Sequence, residues 1–366
     1  MVHAAGAGAG KGAGGWLAVQ TAAAGLLGDA GGLNGSLADT VVDAGSVAPL
    51  AELARSEDDR AASTALGALA RLSSHSDSTA MRVAAGDGVV STLARALAER
   101  PVRARGAAAA RLAMELCRRT PELTATVTID GGAQALVRHA ADAHATPSGV
   151  CALSAVGHAA AFSTEGSRLL IECGAPLALV NVLAAEPPPG PNAAGAAAWA
   201  CAALARHGAE GARPLAQAGA LPALLRACES QRNATARRTA QEAALEIVRN
   251  CGVLAPIEAL VDVATPAVIL EEALARFVVG LAEGDANSTA GSTSKTPAAA
   301  AAARMSFVTS GALMRLMEVR KKRIGELSEA AAVHISTISA CFPEGLRSYY
   351  ASGRRPTSMR TDPVVA

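Results

Sequence analysis

A glycine that recurs about every 43 residues, each time with an aliphatic residue five positions later, constrains this chain more than any other feature. Successive separations are 43, 44, 42, 45, 33 and 59 residues, and the last two together make two periods of 46. Self-similarity at a period of this length indicates a repeat architecture. The seven glycines are Gly45, Gly88, Gly132, Gly174, Gly219, Gly252 and Gly311.

Each period contains the same three apolar segments, two short and one long. In one repeat they predict helices over 211–218, 220–229 and 234–250. Glycine suits the junction because it adopts the left-handed conformation that ends one helix before the next begins. Three helices per 40 to 47 residues are typical of armadillo and HEAT arrays. The sequence therefore predicts an all-α, armadillo/HEAT-like α-solenoid: a right-handed superhelix of six to seven repeats, with the third helices on its concave side.

Interruptions of the period predict the domain organisation. Trp16–Leu27 resembles the last helix of an incomplete repeat, and the polar segment Gly284–Lys295 is typical of a surface loop. The predicted parts are a disordered Gly/Ala-rich tail at 1–15, armadillo repeats at 16–283, a disordered loop insertion at 284–300, the last repeat at 301–341 and a C-terminal tail at 342–366.

Composition bears on the classes of function. The formal net charge is +1, which disfavours a nucleic-acid binder. Hydrophobic residues make up 51% and aromatic residues 2%, so small aliphatic side chains must supply the apolar surface. The seven cysteines include no C-x-x-C pair, which favours free thiols in a reducing compartment. We expect no signal peptide, no membrane span and a cytoplasmic protein.

The sequence contains no complete catalytic or cofactor-binding motif, so we expect neither enzyme activity nor a cofactor. The segment GAGAGKG has Ala5 where a Walker loop needs glycine, and Gly12 where it needs a hydroxyl. His139 and His144 are spaced too widely for two metal ligands on one helix face, so surface or loop histidines are expected there.

Trp199 lies in a third helix, where peptide-binding armadillo proteins carry a tryptophan followed four residues later by asparagine. Here the fourth residue is Ala203, and an alignment on Leu204 places Ala68, Arg111 and Ala155 at the same position. Because these asparagines are missing, we do not expect the chain to bind basic peptides as nuclear-import receptors do. Trp199 is interpreted as a packing residue, with ligand contact as the alternative.

Two features near the end of the chain are candidates for partner binding. The densest basic run consists of Arg320, Lys321, Lys322 and Arg323. It is either a solvated turn between helices or a binding surface for an acidic partner. Phe342, Tyr349 and Tyr350 cluster in a chain that has eight aromatic residues, where they either cover the last repeat or meet a partner.

The same region resembles the axonemal armadillo family of the ciliary central apparatus. Ile257–Phe277 is similar to the penultimate repeat of that family, and Ala351 stands where the family's tail has serine. The matching motif residues are Phe307, Val308, Thr309, Ser310, Gly311, Cys341, Phe342, Pro343, Glu344, Tyr349, Tyr350, Ser352 and Gly353.

The resemblance implies a structural scaffold of the cilium or flagellum, as a shorter or divergent member of the family. Its partners would be other axonemal armadillo and central-apparatus proteins and tubulin in the microtubule, with self-association left open. The alternatives are an armadillo adaptor for ubiquitin transfer or trafficking and a degenerate nuclear-import receptor.

Overall fold

The computed structural model describes residues 9–99, 103–281, 297–323 and 325–351, and its regular structure within those ranges is entirely helical. Contacts divide the chain into two compact units, residues 1–250 (unit 1) and 251–366 (unit 2). The predicted all-α armadillo solenoid is confirmed.

Unit 1 is built on a row of long helices, each packed against the next. These are the predicted third helices of the repeats, and the predicted bounds of the last one agree with the structure. The row consists of α1 (Ala9–Leu33), α4 (Asp59–Ser73), α7 (Ala104–Cys117), α10 (Pro147–Phe162), α13 (Pro191–Ala205) and α16 (Ala234–Asn250).

Shorter helices complete five repeats. The first helices of the repeats are α2 (Gly35–Asp43), α5 (Asp77–Ala84), α8 (Pro121–Thr128), α11 (Thr164–Glu172) and α14 (Ala209–Gln217). The second helices are α3 (Val47–Ala54), α6 (Val89–Ala98), α9 (Gly132–Asp142), α12 (Ala175–Leu183) and α15 (Ala220–Ser230).

The recurring glycine lies between the first and second helix of a repeat. Gly88, Gly174 and Gly219 have φ of 69°, 84° and 89°. A β-carbon would be strained in this left-handed conformation, which explains why glycine recurs. In the third repeat this glycine is Gly131, with φ of 87°, while Gly132 is the first residue of α9. The glycines with positive φ are therefore more evenly spaced along unit 1 than the set chosen from the sequence, which included Gly132.

Side-chain caps begin several of the other helices. Asp58 accepts a hydrogen bond of 2.7 Å from the amide of Ala61 at the start of α4, and Ser163 accepts one of 2.9 Å from Gly166 in α11. Each cap satisfies an amide that has no partner within its helix.

Alanine and leucine fill the core of unit 1, as the composition required. Ala65, Ala109 and Ala152 are completely buried between long helices, where a methyl group lets the helix axes approach closely. Leu66, Leu112 and other leucines fill the remaining volume.

Unit 2 has a 3₁₀ helix (Ala255–Leu260) where the repeat pattern predicted an α-helical second helix. No separate first helix lies between Cys251 and Leu254, which explains why Gly219 and Gly252 are only 33 residues apart. The remaining helices are α17 (Ala267–Leu281), α18 (Pro297–Thr309), α19 (Ala312–Arg323), α20 (Glu329–Ala340) and α21 (Glu344–Ala351).

The predicted boundaries differ from the observed helices at three places. Helix α1 begins at Ala9, inside the predicted tail 1–15, and α18 begins at Pro297, inside the predicted loop 284–300. Helix α21 lies within the predicted tail 342–366. The rest of the loop, residues 1–8 and the chain after 351 lie outside the described residues.

Across the described ranges, no single helix combines the length and the apolar composition needed to cross a bilayer. The pair α11 and α12, which meet at 75°, passes that test only when the two are counted together.

Candidate protein-binding surfaces

Burial and the positions of the helix ends together give the register of the long helices in unit 1. Offsets of 44, 43, 45 and 43 residues superpose completely buried positions of the last five helices: Leu72, Leu116, Ala159, Leu204 and Ile247. The same offsets align the strip that the shorter helices leave uncovered, which we call the open face. Its columns are Gly67, Arg111, Ser154, Trp199 and Glu242; Arg71, Glu115, His158 and Glu246; and Ser74, Arg118, Ala161, Arg206 and Arg249. In the second column the equivalent residue of α13 is Ala203, which is buried.

This register corrects the one inferred from sequence. Ala68, Ala155 and Ala203 are all completely buried, so burial alone does not separate the two registers. The helix ends separate them, because Leu204 lies one residue before the end of α13, as Leu72 and Leu116 do in α4 and α7. The residues equivalent to Ala203 are Arg71, Glu115, His158 and Glu246. The error arose because alanine-rich helices show little contrast between their packed and open sides. The asparagine ladder of the import-type groove is absent in either register.

Trp199, His158 and Phe162 form an aromatic cluster on the open face, with His158 between the other two rings. The Trp199 ring meets that of His158 edge to face, with centroids 4.7 Å apart, and His158 lies 6.5 Å from Phe162. A side chain at Gly157 would overlap the Trp199 ring, so this glycine provides the slot in α10 that the indole occupies. Trp199 is half-buried, so it packs against α10 and still presents part of its ring to solvent.

Burial lowers the pKa of His158, and the charge of Arg118 lowers it further. The imidazole is therefore neutral near pH 7. The effect of Arg118 also shows that α7 and α10 contribute to one electrostatic environment. The open face carries its positive charge on arginines and not on this histidine.

Among the described positions of the open face on α4, α7, α10 and α13, arginines outnumber carboxylates. The carboxylate is Glu115, which is 8% exposed and pairs with Arg118 at 2.7 Å. Arg71 pairs with Asp29 of α1 at 3.4 Å. The arginines are Arg71, Arg111, Arg118 and Arg206.

The predicted basic run ends α19 in unit 2, and its four residues have different environments. The side chains of Arg320 and Lys321 are exposed, and Lys322 pairs with Glu318 one turn earlier. Arg323 donates from Nη1 to the carbonyl oxygens of Val263 and Thr265, at 2.8 and 2.6 Å. Arg323 therefore fastens α19 to a loop, and the surface available to a partner is that of the first three residues.

Phe342 belongs to the core of unit 2, so of its two predicted roles the structure supports covering the last repeat and not meeting a partner. Its side chain is 4% exposed and stacks on Phe307 at 5.8 Å, and Phe307 meets Phe277 at 4.9 Å. Tyr349 and Tyr350 pack edge to face on α21 with centroids 5.3 Å apart, and Tyr349 is 38% exposed. The two tyrosines remain candidates for partner binding.

Sequence reasoning missed an apolar surface on α1. Trp16, Val19, Leu26 and Leu33 recur at helical spacing opposite the side that packs on α4, and each is at least 57% exposed. Large exposed apolar side chains grouped on one helix face mark an interaction surface more often than isolated ones do. The signal was available in the seven-residue spacing of the larger side chains along an alanine-rich helix.

The other titratable groups of the described chain show structural roles. His139 is completely buried, with Nε2 3.3 Å from Ser148 Oγ, which contradicts the predicted surface position. Burial raises the pKa of the Cys117 and Cys201 thiols to about 12. Within the described residues, no three metal-ligating side chains group together.

Comparisons with known proteins agree with the fold and with the resemblance to the axonemal armadillo family. Human sperm-associated antigen 6 is 29% identical over 166 residues, which are 45% of this chain and 28% of the relative. The mouse protein of the same name is 30% identical over 166 residues, 45% of this chain and 29% of the relative. The chain thus matches less than a third of the length of these relatives. No family model matches.

Among solved structures, a designed armadillo repeat protein superposes with a TM-score of 0.56 and 22% identity, over 62% of this chain and 92% of that one. Another designed armadillo repeat protein, in complex with the peptide (KR)4, gives a TM-score of 0.56 and 23% identity over the same shares. The chain is therefore an armadillo-repeat solenoid that resembles sperm-associated antigen 6 over part of its length.

Proposed function

We propose that this protein is a structural scaffold of the ciliary or flagellar axoneme. In this proposal it docks on the central-apparatus microtubule and on neighbouring armadillo proteins. The observation that carries the proposal is the similarity to sperm-associated antigen 6, together with the motif residues at the end of the chain. The fold supports the role of a protein-binding scaffold, because stacked helical repeats offer long preorganised surfaces for protein partners.

Two surfaces supply the contacts that such a scaffold needs. The apolar face of α1 suits the flat helical end of another repeat array, including a second copy of this chain. The exposed residues Arg320, Lys321 and Lys322 suit an acidic surface such as that of tubulin, since complementary charge steers association and fixes register.

Fractionation of ciliated cells that express the tagged full-length chain tests the proposal. The protein is expected to stay with axonemes after detergent removes the membrane, and to be released by salt. Recovery in the detergent-soluble fraction, with none on axonemes, would refute the axonemal role.

A charge-reversal pair tests the basic surface separately. Arg320→Glu with Lys321→Glu should lower co-sedimentation of the purified chain with microtubules. The matched control is Arg138→Glu, an exposed arginine on α9 of unit 1. Equal loss in the control, or no loss in the pair, would exclude Arg320 and Lys321 as the tubulin contact and leave the fractionation result to decide the location.

A further inference from the structure

A groove of about 360 Å³ lies between α1 and α3, in the first repeat of unit 1. Its surface is largely apolar: Ala24 and Leu50 are buried in it, and Leu27 and Leu53 are half-buried. Glu52 is exposed there and is the one charged residue among the described residues that line the groove. These residues of α1 differ from those of its exposed apolar face, so the groove is a separate surface.

The later repeats show which element belongs in such a position. The second helices pack on the long helix of their own repeat and on one another along a row, as α3 packs on α4 and on α6. A second helix belonging with α1 would therefore pack on α1 and α3, the two helices that form the groove. No helix precedes α1 within the described residues. The groove thus has the position of a second helix that no described part of the chain supplies.

The burial of α3 agrees with this interpretation. The eighth residue after the recurring glycine is Leu53 in the first repeat, where it is half-buried. In the next four repeats this residue is at most 3% exposed: Ala96, His139, Val182 and Ala227. Burial lowers the pKa of His139, and the backbone of Leu97 on the preceding second helix opposes that shift. The eighth position therefore faces the preceding second helix, and in α3 it faces the groove.

The fourth residue after the glycine shows the same difference. Pro49 is exposed and lines the groove. Its equivalent in α12, Ala178, is half-buried. The equivalents in α6, α9 and α15 are at most 6% exposed: Thr92, Ala135 and Ala223. In the first repeat Pro49 and Leu53 therefore present apolar surface that a docked helix would remove from water, which favours association.

The groove also defines the chemistry of the helix that fits it. The second helices of this chain are 8 to 11 residues long and each buries at least four residues. Residues 1–8 hold two large apolar side chains, Met1 and Val2, so a partner fits the groove better than this segment does. The negative charge of Glu52 favours a basic residue on the docked helix.

We propose that the groove between α1 and α3 binds a short amphipathic helix of a protein partner, which buries Pro49 and Leu53 and pairs a basic residue with Glu52. The partner helix takes the position of a second helix and completes the repeat to which α1 belongs. The site does not depend on an axonemal location. One helix of about ten residues forms an interface well below the roughly 1,600 Å² of a stable protein pair, so the isolated helix should bind weakly.

The probe is a peptide of residues 88–98, GVVSTLARALA, which is the second helix of the next repeat and carries one basic residue. Its ends are blocked and a fluorophore reports binding to the full-length chain by anisotropy. The dissociation constant should be on the order of 100 µM, because so short a peptide must become helical as it binds. A control peptide with Leu93→Asp and Leu97→Asp should bind more than about tenfold more weakly, since it has lost its apolar side.

Matched variants of the chain locate the peptide. Ala23 and Ala22 are adjacent exposed residues of α1, and of the two only Ala23 lines the groove. Ala23→Glu should weaken binding more than about tenfold, because it places a charge against the apolar side of the peptide. Ala22→Glu is the control and should change binding less than about twofold. Glu52→Lys should weaken binding about threefold at low salt and less at high salt, where exposed charges are screened.

Four results would overturn the proposal. The first two are no saturable binding of the peptide to the parent chain, and equal binding by the parent and Ala23→Glu. Removal of residues 1–8 should leave the affinity unchanged; a gain of more than about fivefold would mean that this segment competes for the groove and is its occupant. A parent chain that sediments as a dimer, and that Ala23→Glu but not Ala22→Glu dissociates, would assign the groove to a second copy of the chain.

Discussion

Replacing Gly157 by alanine tests how the aromatic cluster is held. Alanine in a helix interior is favoured over glycine by about 1 kcal/mol, so by local preference alone Gly157→Ala should stabilise the protein. The added β-carbon, however, would overlap Cζ3 and Cε3 of Trp199, a rigid ring that cannot yield as a flexible chain end can. Overpacking of this kind costs about 1–3 kcal/mol. The expected net effect runs from no change to a loss of about 2 kcal/mol.

Gly67 provides the matched control. It occupies the open face of α4, in the Trp199 column, and an added β-carbon there meets no atom within 4 Å. Gly67→Ala should therefore stabilise unit 1 by about 0.5–1 kcal/mol. The difference between the two variants isolates the clash with Trp199, at about 1–3 kcal/mol.

Urea unfolding followed by far-ultraviolet circular dichroism measures both variants, with the midpoint and the slope compared to the parent. A double-mutant cycle identifies the partner of the clash. In a Trp199→Ala background the overlap is gone, so Gly157→Ala should then be stabilising, like Gly67→Ala. If Gly157→Ala stabilises the parent as much as Gly67→Ala does, the slot for Trp199 is not as the structure shows it.

Three further outcomes are expected. Phe307→Ala should destabilise unit 2 by about 3–5 kcal/mol in urea unfolding, because it removes the middle ring of a buried cluster; a loss below about 1 kcal/mol would contradict that packing. Arg323→Ala should cost about 1–3 kcal/mol by leaving two backbone carbonyls without their donor, whereas Lys321→Ala should change stability by less than about 0.5 kcal/mol; equal effects would contradict the structural role of Arg323. Because burial raises the pKa of Cys201 to about 12, its thiol should stay protonated at pH 8 and resist iodoacetamide until the chain unfolds, and peptide mass spectrometry showing alkylation of the native protein would refute this.

The sequence was sufficient for the repeat architecture because that architecture depends on local conformation. Glycine at Gly88, Gly174 and Gly219 marks positions with positive φ, which few other residues adopt, so its spacing carries the period of the fold directly. The helix at Ala234–Asn250 was likewise predictable from apolar spacing and composition. The resemblance at the end of the chain rests on short motifs that are also readable without coordinates.

The sequence could not determine which side of each alanine-rich helix faces a neighbour. Alanine occupies both packed and open positions, so the register of the open face and the equivalence of Arg71, Glu115 and His158 required the packed structure. The same holds for His139, Phe342 and other residues whose burial depends on contacts far away in sequence.

What the sequence by itself determined is therefore the helical repeat and its period, since glycine conformation and apolar spacing act within a few residues. Only the tertiary structure decided which arginines gather on one face, which basic residue of the run is tied to a loop, and where Trp199 rests. These depend on side chains brought together from separate repeats, for example Gly157 and Trp199, which are on different helices of the row. No local pattern encodes that contact, because it forms only when the helices stack.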